Sequence, residues 1–370
     1  MKTLFNILNT VFLTVSAVIG AGFITGRELI GYFGAQGFGI YTLISIALFS
    51  VSFLFIYKMN CLADGYQSLN AKLLGERGGK SVNAVVFVCA FISLCSLLAS
   101  VDAIAKKFNL FGGFPVLSLS LITIVSFTSK YGVKGLEKIN ALAVPLLLVA
   151  IVFTLFCKGD FNFSFTGGGV AEKSIKTILF VGMNGFINLP VIFVSGRNRT
   201  QKELVISAII SGVILGLLTF FLLGAIANSN DAVKADIPLL FAIGEKYAFF
   251  FAVALFTAMV SSITTAYYPL YEIVKDKKPP IGIIALSVSA FLFSRLGISF
   301  IVDNVYPLIG VVGVIYFIVI AIKLSSIKRL AKADNNGKWR KSYVKKKEQK
   351  NQDKKTHGRR IRKVYNGVKG

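Results

Sequence analysis

Two glycine clusters inside long apolar runs are the residues best placed to do chemistry in this chain. The first reads Ser16-Ala17-Val18-Ile19-Gly20-Ala21-Gly22-Phe23-Ile24-Thr25-Gly26-Arg27-Glu28. The second reads Phe180-Val181-Gly182-Met183-Asn184-Gly185-Phe186-Ile187-Asn188-Leu189-Pro190. Glycine and proline interrupt helices, and an interruption in apolar surroundings exposes peptide N–H and C=O groups that need partners. The N–H end of a broken helix suits a carboxylate, and the C=O end suits a cation. Both clusters contain Gly-Phe-Ile, at 22–24 and 185–187. A third stretch, Ala258-Met259-Val260-Ser261-Ser262-Ile263-Thr264-Thr265, sets four hydroxyls within five residues, enough to line a polar groove. Plainer readings stand beside these: small residues for close helix packing with a kink at Pro190, and hydroxyls that bond their own i−4 carbonyls.

The elements that position these residues follow from composition. The chain has 370 residues, of which 55% are hydrophobic and 16% charged, with a formal net charge of +24. Soluble domains carry about 25% charged residues, so an integral membrane protein is the class indicated. The charge is concentrated at one end: Ile327–Gly370 holds seventeen Lys/Arg and three acids, a net of +14, leaving +10 for the rest. Apolar segments of spanning length fall at about 5–33, 38–59, 82–105, 114–128, 136–157, 174–195, 203–227, 247–272, 280–298 and 300–324. Ten crossings return both termini to one side, and basic residues divide fourteen to nine in favour of a cytoplasmic N-terminus and tail. The expected location is therefore the cell membrane, with a transmembrane domain over 1–326 and a basic, disordered cytoplasmic tail over 327–370. The tail is expected to meet anionic lipid headgroups, and no nucleic-acid partner is expected.

Several chemistries are excluded. Cys61, Cys89, Cys95 and Cys157 form no C-x-x-C, and the one histidine is His357 in the tail. A disulfide framework, a Cys/His metal site and a histidine-based catalytic pair are all disfavoured. An enzyme is not expected. The run after Lys2 has no small-residue cleavage site and reads as a retained first helix.

The interrupted segments each open a block of five spans, 5–157 and 173–325. Interrupted hydrophobic segments at matching positions in two halves point to a transporter site, and an odd number of spans per half inverts the second half. This layout resembles the five-plus-five inverted repeat of the amino acid–polyamine–cation superfamily, the LeuT-type fold. Ala17-Val18-Ile19-Gly20-Ala21-Gly22-Phe23-Ile24-Thr25-Gly26-Arg27-Glu28-Leu29 is similar to the opening motif of YkvI-type membrane proteins, a bacterial group of proposed amino-acid permeases. The resemblance covers about residues 5–325. It implies an all-α polytopic protein with broken first and sixth helices that transports an amino acid or small amine by alternating access.

The resemblance also implies site residues. Sodium-coupled members join first-helix carbonyls to an Ala-x-x-Thr/Ser-Ser motif, which Ala258, Ser261 and Ser262 match; the carbonyls would be those of Ser16 and Ile19. A bound Na+ is the ion implied. The substrate carboxylate would meet N–H groups at Gly20, Ala21 and Gly22. Its amine would meet carbonyls near Gly182, Asn184 and Gly185, with Phe23 and Phe186 closing over it. The third span lacks the tyrosine of those relatives, and Ser96 or Ser100 stands in its place. Arg27 with Asp303 would form an outer gate, and Lys2 with Asp276 an inner one. Divalent-metal transport is disfavoured, because the corresponding motifs are missing. The alternatives are a proton-coupled or exchange permease, and a non-transporting receptor such as a germinant-receptor membrane subunit.

Overall fold

The computed structural model describes residues 2–34, 41–158, 169–227, 232, 235–243, 245–275 and 279–333. Among them the regular elements are all helical. They are α1 (Lys2–Val18), α2 (Ala21–Thr25), α3 (Arg27–Phe33), α4 (Tyr41–Met59), α5 (Tyr66–Lys107), α6 (Val116–Thr128), α7 (Gly132–Lys158) and α8 (Val170–Ile187). There follow α9 (Leu189–Ser195), α10 (Gln201–Ile226), α11 (Pro238–Ile243), α12 (Glu245–Val274), α13 (Pro279–Phe293), α14 (Ile298–Phe300) and α15 (Tyr306–Ala333). Contacts divide the chain into Met1–Phe317, which holds the helical bundle, and Ile318–Gly370, which holds the end of α15.

Every expected span coincides with a helix or a run of helices. Among the described residues, six helices are long and apolar enough to cross a membrane, or seven when the bent pair α8–α9 counts as one span. Thr3–Val18 and Pro280–Leu296 are apolar but shorter. α15 continues to Ala333, so Ile327–Ala333, assigned above to the tail, belong to a helix; the remainder of the tail lies outside the described residues. α5 starts well before the expected third span because Gly75, at φ +79°, joins a short preceding helix to the long apolar one.

The first span is broken twice. α1 stops at Val18, Gly20 is extended (φ −81°, ψ −176°), and α2 is five residues long. Gly26 then takes a left-handed conformation, φ +83°, before α3 begins. A Cβ at Gly26 would lie 2.5 Å from the Ile226 Cδ1 atom, so both the backbone angle and the close approach of α10 require glycine.

The sixth span bends by 70° between α8 and α9. The turn centres on Asn188, with Pro190 in the first turn of α9 where its missing N–H costs nothing. Of the residues expected to make this interruption, Asn188 and Pro190 sit at the bend, whereas Gly182, Asn184 and Gly185 lie inside α8. A Cβ at Gly182 would meet the Val314 side chain at 2.6 Å and the Gly310 carbonyl at 3.4 Å. Gly185 faces the Phe317 ring. These glycines let α8 and α15 approach, the small-residue crossing common in membrane bundles.

α1 packs on α7, α9, α10 and α12, and α12 packs on α5 and α7. The residues of the candidate site therefore lie on helices that touch one another. Large apolar side chains such as Leu142, Leu146, Phe249, Phe250, Ile281 and Leu308 stand exposed. In water they would be a liability; in a bilayer they are the lipid-facing surface.

Candidate functional site

The break after α1 and the hydroxyl stretch of α12 meet face to face. Ser262 donates its hydroxyl hydrogen bond to the carbonyls of Ser16, at 3.2 Å, and of Ile19. Those carbonyls sit where the helix ends, so the loss of their own helical donors leaves them available. Ser16 Oγ lies 2.8 Å from Ser261 Oγ and 3.4 Å from Thr265 Oγ1. Ala258 is buried one turn before Ser262 on α12. The carbonyls of Ser16 and Ile19 and the hydroxyls of Ser261 and Ser262 are thus gathered in a buried place, with the Ser16 and Thr265 hydroxyls beside them. All four are hard oxygen donors, the chemistry that suits a small hard monovalent cation.

Asn140 of α7 completes this cluster, and sequence reasoning did not single it out. Its Oδ1 accepts from the Ser261 hydroxyl, and its Nδ2 donates to Thr265 Oγ1 at 3.3 Å. With the Ser261 proton committed to Asn140, the Ser261 oxygen accepts from Ser16. The signal available was a single asparagine in an otherwise apolar stretch of the fifth span.

The expected substrate residues are distributed more widely. Gly20 forms the extended link and Ala21 opens α2. Gly22 lies inside α2 and is packed against Glu28. Phe23 is buried and stacks on Phe180, with ring centroids 6.0 Å apart. Phe186 belongs to a different aromatic contact, 5.1 Å from Tyr316. Ser100 donates to the Ser96 carbonyl at 2.8 Å, the i−4 bond that occupies a membrane serine internally. Ser96 is fully buried beside Tyr306. Asn184 donates to the Phe180 carbonyl at 3.0 Å and to Glu28 Oε1 at 2.7 Å. The Gly182 carbonyl is pressed against Gly313, so α15 occupies the face on which a substrate amine was expected.

Two charged assemblies lie at opposite ends of the first span. Beyond the break, the Arg27 guanidinium reaches both carboxylate oxygens of Asp303, with Nε at 3.1 Å from Oδ1. It also meets the Ala235 carbonyl at 3.4 Å. The paired side chains are 16% and 38% exposed, so the pair sits at the rim and separates at modest cost. Asp303 belongs to the π turn Ile301–Val305 that leads into α15. Asp102, near the end of α5, pairs with Arg295.

At the other end, Arg199 ties three elements together. Its Nη1 donates to Asn6 Oδ1 at 2.8 Å, its Nε to Thr10 Oγ1 at 3.1 Å, and its Nη2 to Glu137 Oε1 at 3.2 Å. Asn6 also donates to Glu203 at 2.9 Å. Glu203 and Thr200 form the capping box that starts α10. Tyr57 lies 2.5 Å from Thr14 Oγ1, which in turn lies 3.1 Å from Ser195 Oγ. Of the expected inner pair, Asp276 and the Lys2 side chain lie outside the described residues.

No protein-family model matches the chain. It is 25% identical over 335 residues to the uncharacterized membrane protein YkvI of Bacillus subtilis, a match covering 82% of this chain and 92% of that protein. It is 21% identical over 322 residues to the uncharacterized protein YyaD of the same organism, covering 81% and 92% respectively. Among solved structures it is similar to MhsT in complex with L-phenylalanine, with a TM-score of 0.59 and 17% identity, over 84% of this chain and 88% of that one. At that identity the likeness speaks for the fold. The chain is thus similar to YkvI over most of its length, and it is a multi-pass membrane protein built on the LeuT-type fold, with its first and sixth spans broken.

Proposed function

We propose that the protein is a secondary active transporter that moves an amino acid or similar small amine by alternating access, coupled to sodium. The observation that carries this reading is the Ser262 hydroxyl set on the carbonyls of Ser16 and Ile19 at the helix break. In the closed arrangement Ser262 gives its proton to those carbonyls. When a cation arrives the hydroxyl turns, and its oxygen joins them as a ligand, so the cation exchanges places with a hydrogen bond. Ser261, held by Asn140 and Ser16, supplies the fourth oxygen. Binding thereby bridges α1 and α12, and this ties ion occupancy to the relative position of two helices.

Arg27–Asp303 and the Arg199 network serve as the two gates, each latched in this structure. Alternating access requires that they open one at a time. Transport is assigned to the cell membrane with both termini cytoplasmic, and the basic tail is assigned to the anionic headgroups of that leaflet. We read the chain as a carrier and not as an enzyme. Because MhsT was solved with L-phenylalanine, aromatic amino acids are the first probes, followed by small aliphatic ones.

The test is thermal stabilisation of purified protein across the amino acids, with sodium or potassium as the counter-cation. Stabilisation by one class of amino acid, enhanced by sodium and reduced in Ser262→Ala, supports the reading. Stabilisation that ignores sodium removes the coupling ion, and no response to any amino acid or amine removes the substrate class.

A further inference from the structure

Among the described residues, Glu28 is the carboxylate buried at the helix breaks, and neither the ion site nor the two gates use it. It is 2% exposed, on α3, two residues beyond Gly26. Its Oε1 accepts from Asn184 Nδ2 at 2.7 Å, while Asn184 uses its other contact on the Phe180 carbonyl. Its Oε2 side lies on Gly22, where a Cβ would come within 3.0 Å of that oxygen. Glu28 therefore bridges the twice-broken first span and the sixth span. Phe180 stacks on Phe23 and meets Tyr32, Phe33 and Phe49 edge-on, so the neighbourhood is aromatic and apolar. The Arg27 guanidinium beside it is turned to Asp303, and among the described residues no Lys or Arg forms an ion pair with Glu28. The other ionisable groups that face it are the hydroxyls of Tyr32 on α3 and Tyr306 on α15.

A carboxylate taken out of water without a cation is one of the costliest arrangements in a protein, and one neutral amide donor does not offset it. In a membrane span such a group marks a functional site. We propose that Glu28 is a second cation-accepting site, separate from the Ser16–Ser262 oxygens, and that it holds a positive charge whenever both gates are closed. The charge is a proton or the ammonium group of the substrate. Both neutralise the charge at Oε2, the proton by forming an O–H bond there and the ammonium by donating an N–H hydrogen bond to it. This deepens the transporter reading and rests on it for a role in the cycle, but its test needs no substrate.

The test is infrared spectroscopy of the purified full-length protein in lipid nanodiscs, comparing wild type with Glu28→Gln, which keeps the acceptor for Asn184. The ligand-free wild type is expected to show a protonated-carboxyl C=O band at neutral pH that Glu28→Gln lacks. Matched ligands then separate the two sources: ethylamine, L-alanine and propionate, and phenethylamine, L-phenylalanine and 3-phenylpropionate. If the ammonium is the partner, the amine and the amino acid abolish the band and the carboxylates leave it. If the proton is the partner, the band survives ligand and disappears only as the pH is raised. Asn184→Ala is expected to retain the band at a shifted frequency, which carries the test should Glu28→Gln fail to fold. Identical carboxyl bands in wild type and Glu28→Gln, or an unshifted band in Asn184→Ala, overturn the proposal. Failure of every ligand to bind wild type would sink the transporter reading while leaving the band comparison to stand or fall alone.

Discussion

Removal of the Ser262 hydroxyl separates the ion site from the packing of α12. In the ligand-free protein this hydroxyl donates to the carbonyls of Ser16 and Ile19. Hydrogen bonds between membrane helices average about 0.6 kcal/mol and reach about 1.7 kcal/mol, so Ser262→Ala should cost ligand-free stability about 1 kcal/mol. The effect on sodium is of a different kind, because one of four gathered oxygens is lost. A tenfold loss of affinity corresponds to about 1.4 kcal/mol. At a sodium concentration of about a hundred times the wild-type dissociation constant, binding stabilises the folded protein by about 2.7 kcal/mol, and a tenfold weaker site leaves about 1.4 kcal/mol. The assay is thermal unfolding in detergent over a titration of sodium chloride, with potassium chloride holding ionic strength constant. Thr257→Ala is the control, since Thr257 is an exposed residue of the same helix that bonds its own turn. The sodium-dependent increment should halve in Ser262→Ala and stay unchanged in Thr257→Ala. An equal sodium increment in wild type and Ser262→Ala would refute the assignment of these oxygens to the ion.

Three further outcomes follow from the same geometry. Asn140→Leu removes the acceptor of the Ser261 proton and the donor to Thr265; it should weaken sodium stabilisation less than Ser262→Ala does and cost about 1 kcal/mol of stability, read in the same titration. Gly26→Ala places a side chain at φ +83° and against Ile226, and the left-handed conformation alone costs about 1–2 kcal/mol, which a drop in melting temperature and in folded yield would report. Arg27→Gln breaks the rim pair with Asp303. The pair is worth about 0.2–1 kcal/mol, so the variant should stay folded while a cysteine introduced at the buried Ser96 becomes more reactive to an impermeant thiol reagent; unchanged labelling would deny that the pair is a gate.

The parts of this site that were legible in the sequence are those set by local register. The resemblance implied the Ser16 and Ile19 carbonyls, and the break at Gly20 that leaves them over was marked by the Gly-Ala-Gly. Ala258, Ser261 and Ser262 fall on one helical face by the 3.6-residue period alone. Arg27 and Asp303 lay at equivalent depths in the first and tenth spans. What the sequence left hidden depends on which helix lies opposite. Glycine serves equally as a breaker and as a contact point, so Gly182 and Gly185 read as an interruption although α15 makes them a packing surface. The bend fell to Asn188 and Pro190, because Pro190 removes an N–H that the helix would need. Asn140, Glu28 and Arg199 took their meaning from partners more than sixty residues away, and periodicity carries no record of such pairings. Glu137 had adequate local partners in Lys134 and Lys138, yet the fold gave it to Arg199.

The central claim is that the broken helices support coupled transport, and uptake tests it most directly. Purified protein in sealed liposomes should accumulate labelled L-phenylalanine or a small aliphatic amino acid when sodium is imposed outside and potassium inside, and the accumulation should collapse when the sodium gradient is removed or when Ser262 is replaced by alanine. Equal uptake with and without a sodium gradient would contradict the coupling. No uptake or exchange of any amino acid or amine, by protein that is folded and oriented in the membrane, would contradict the account as a whole.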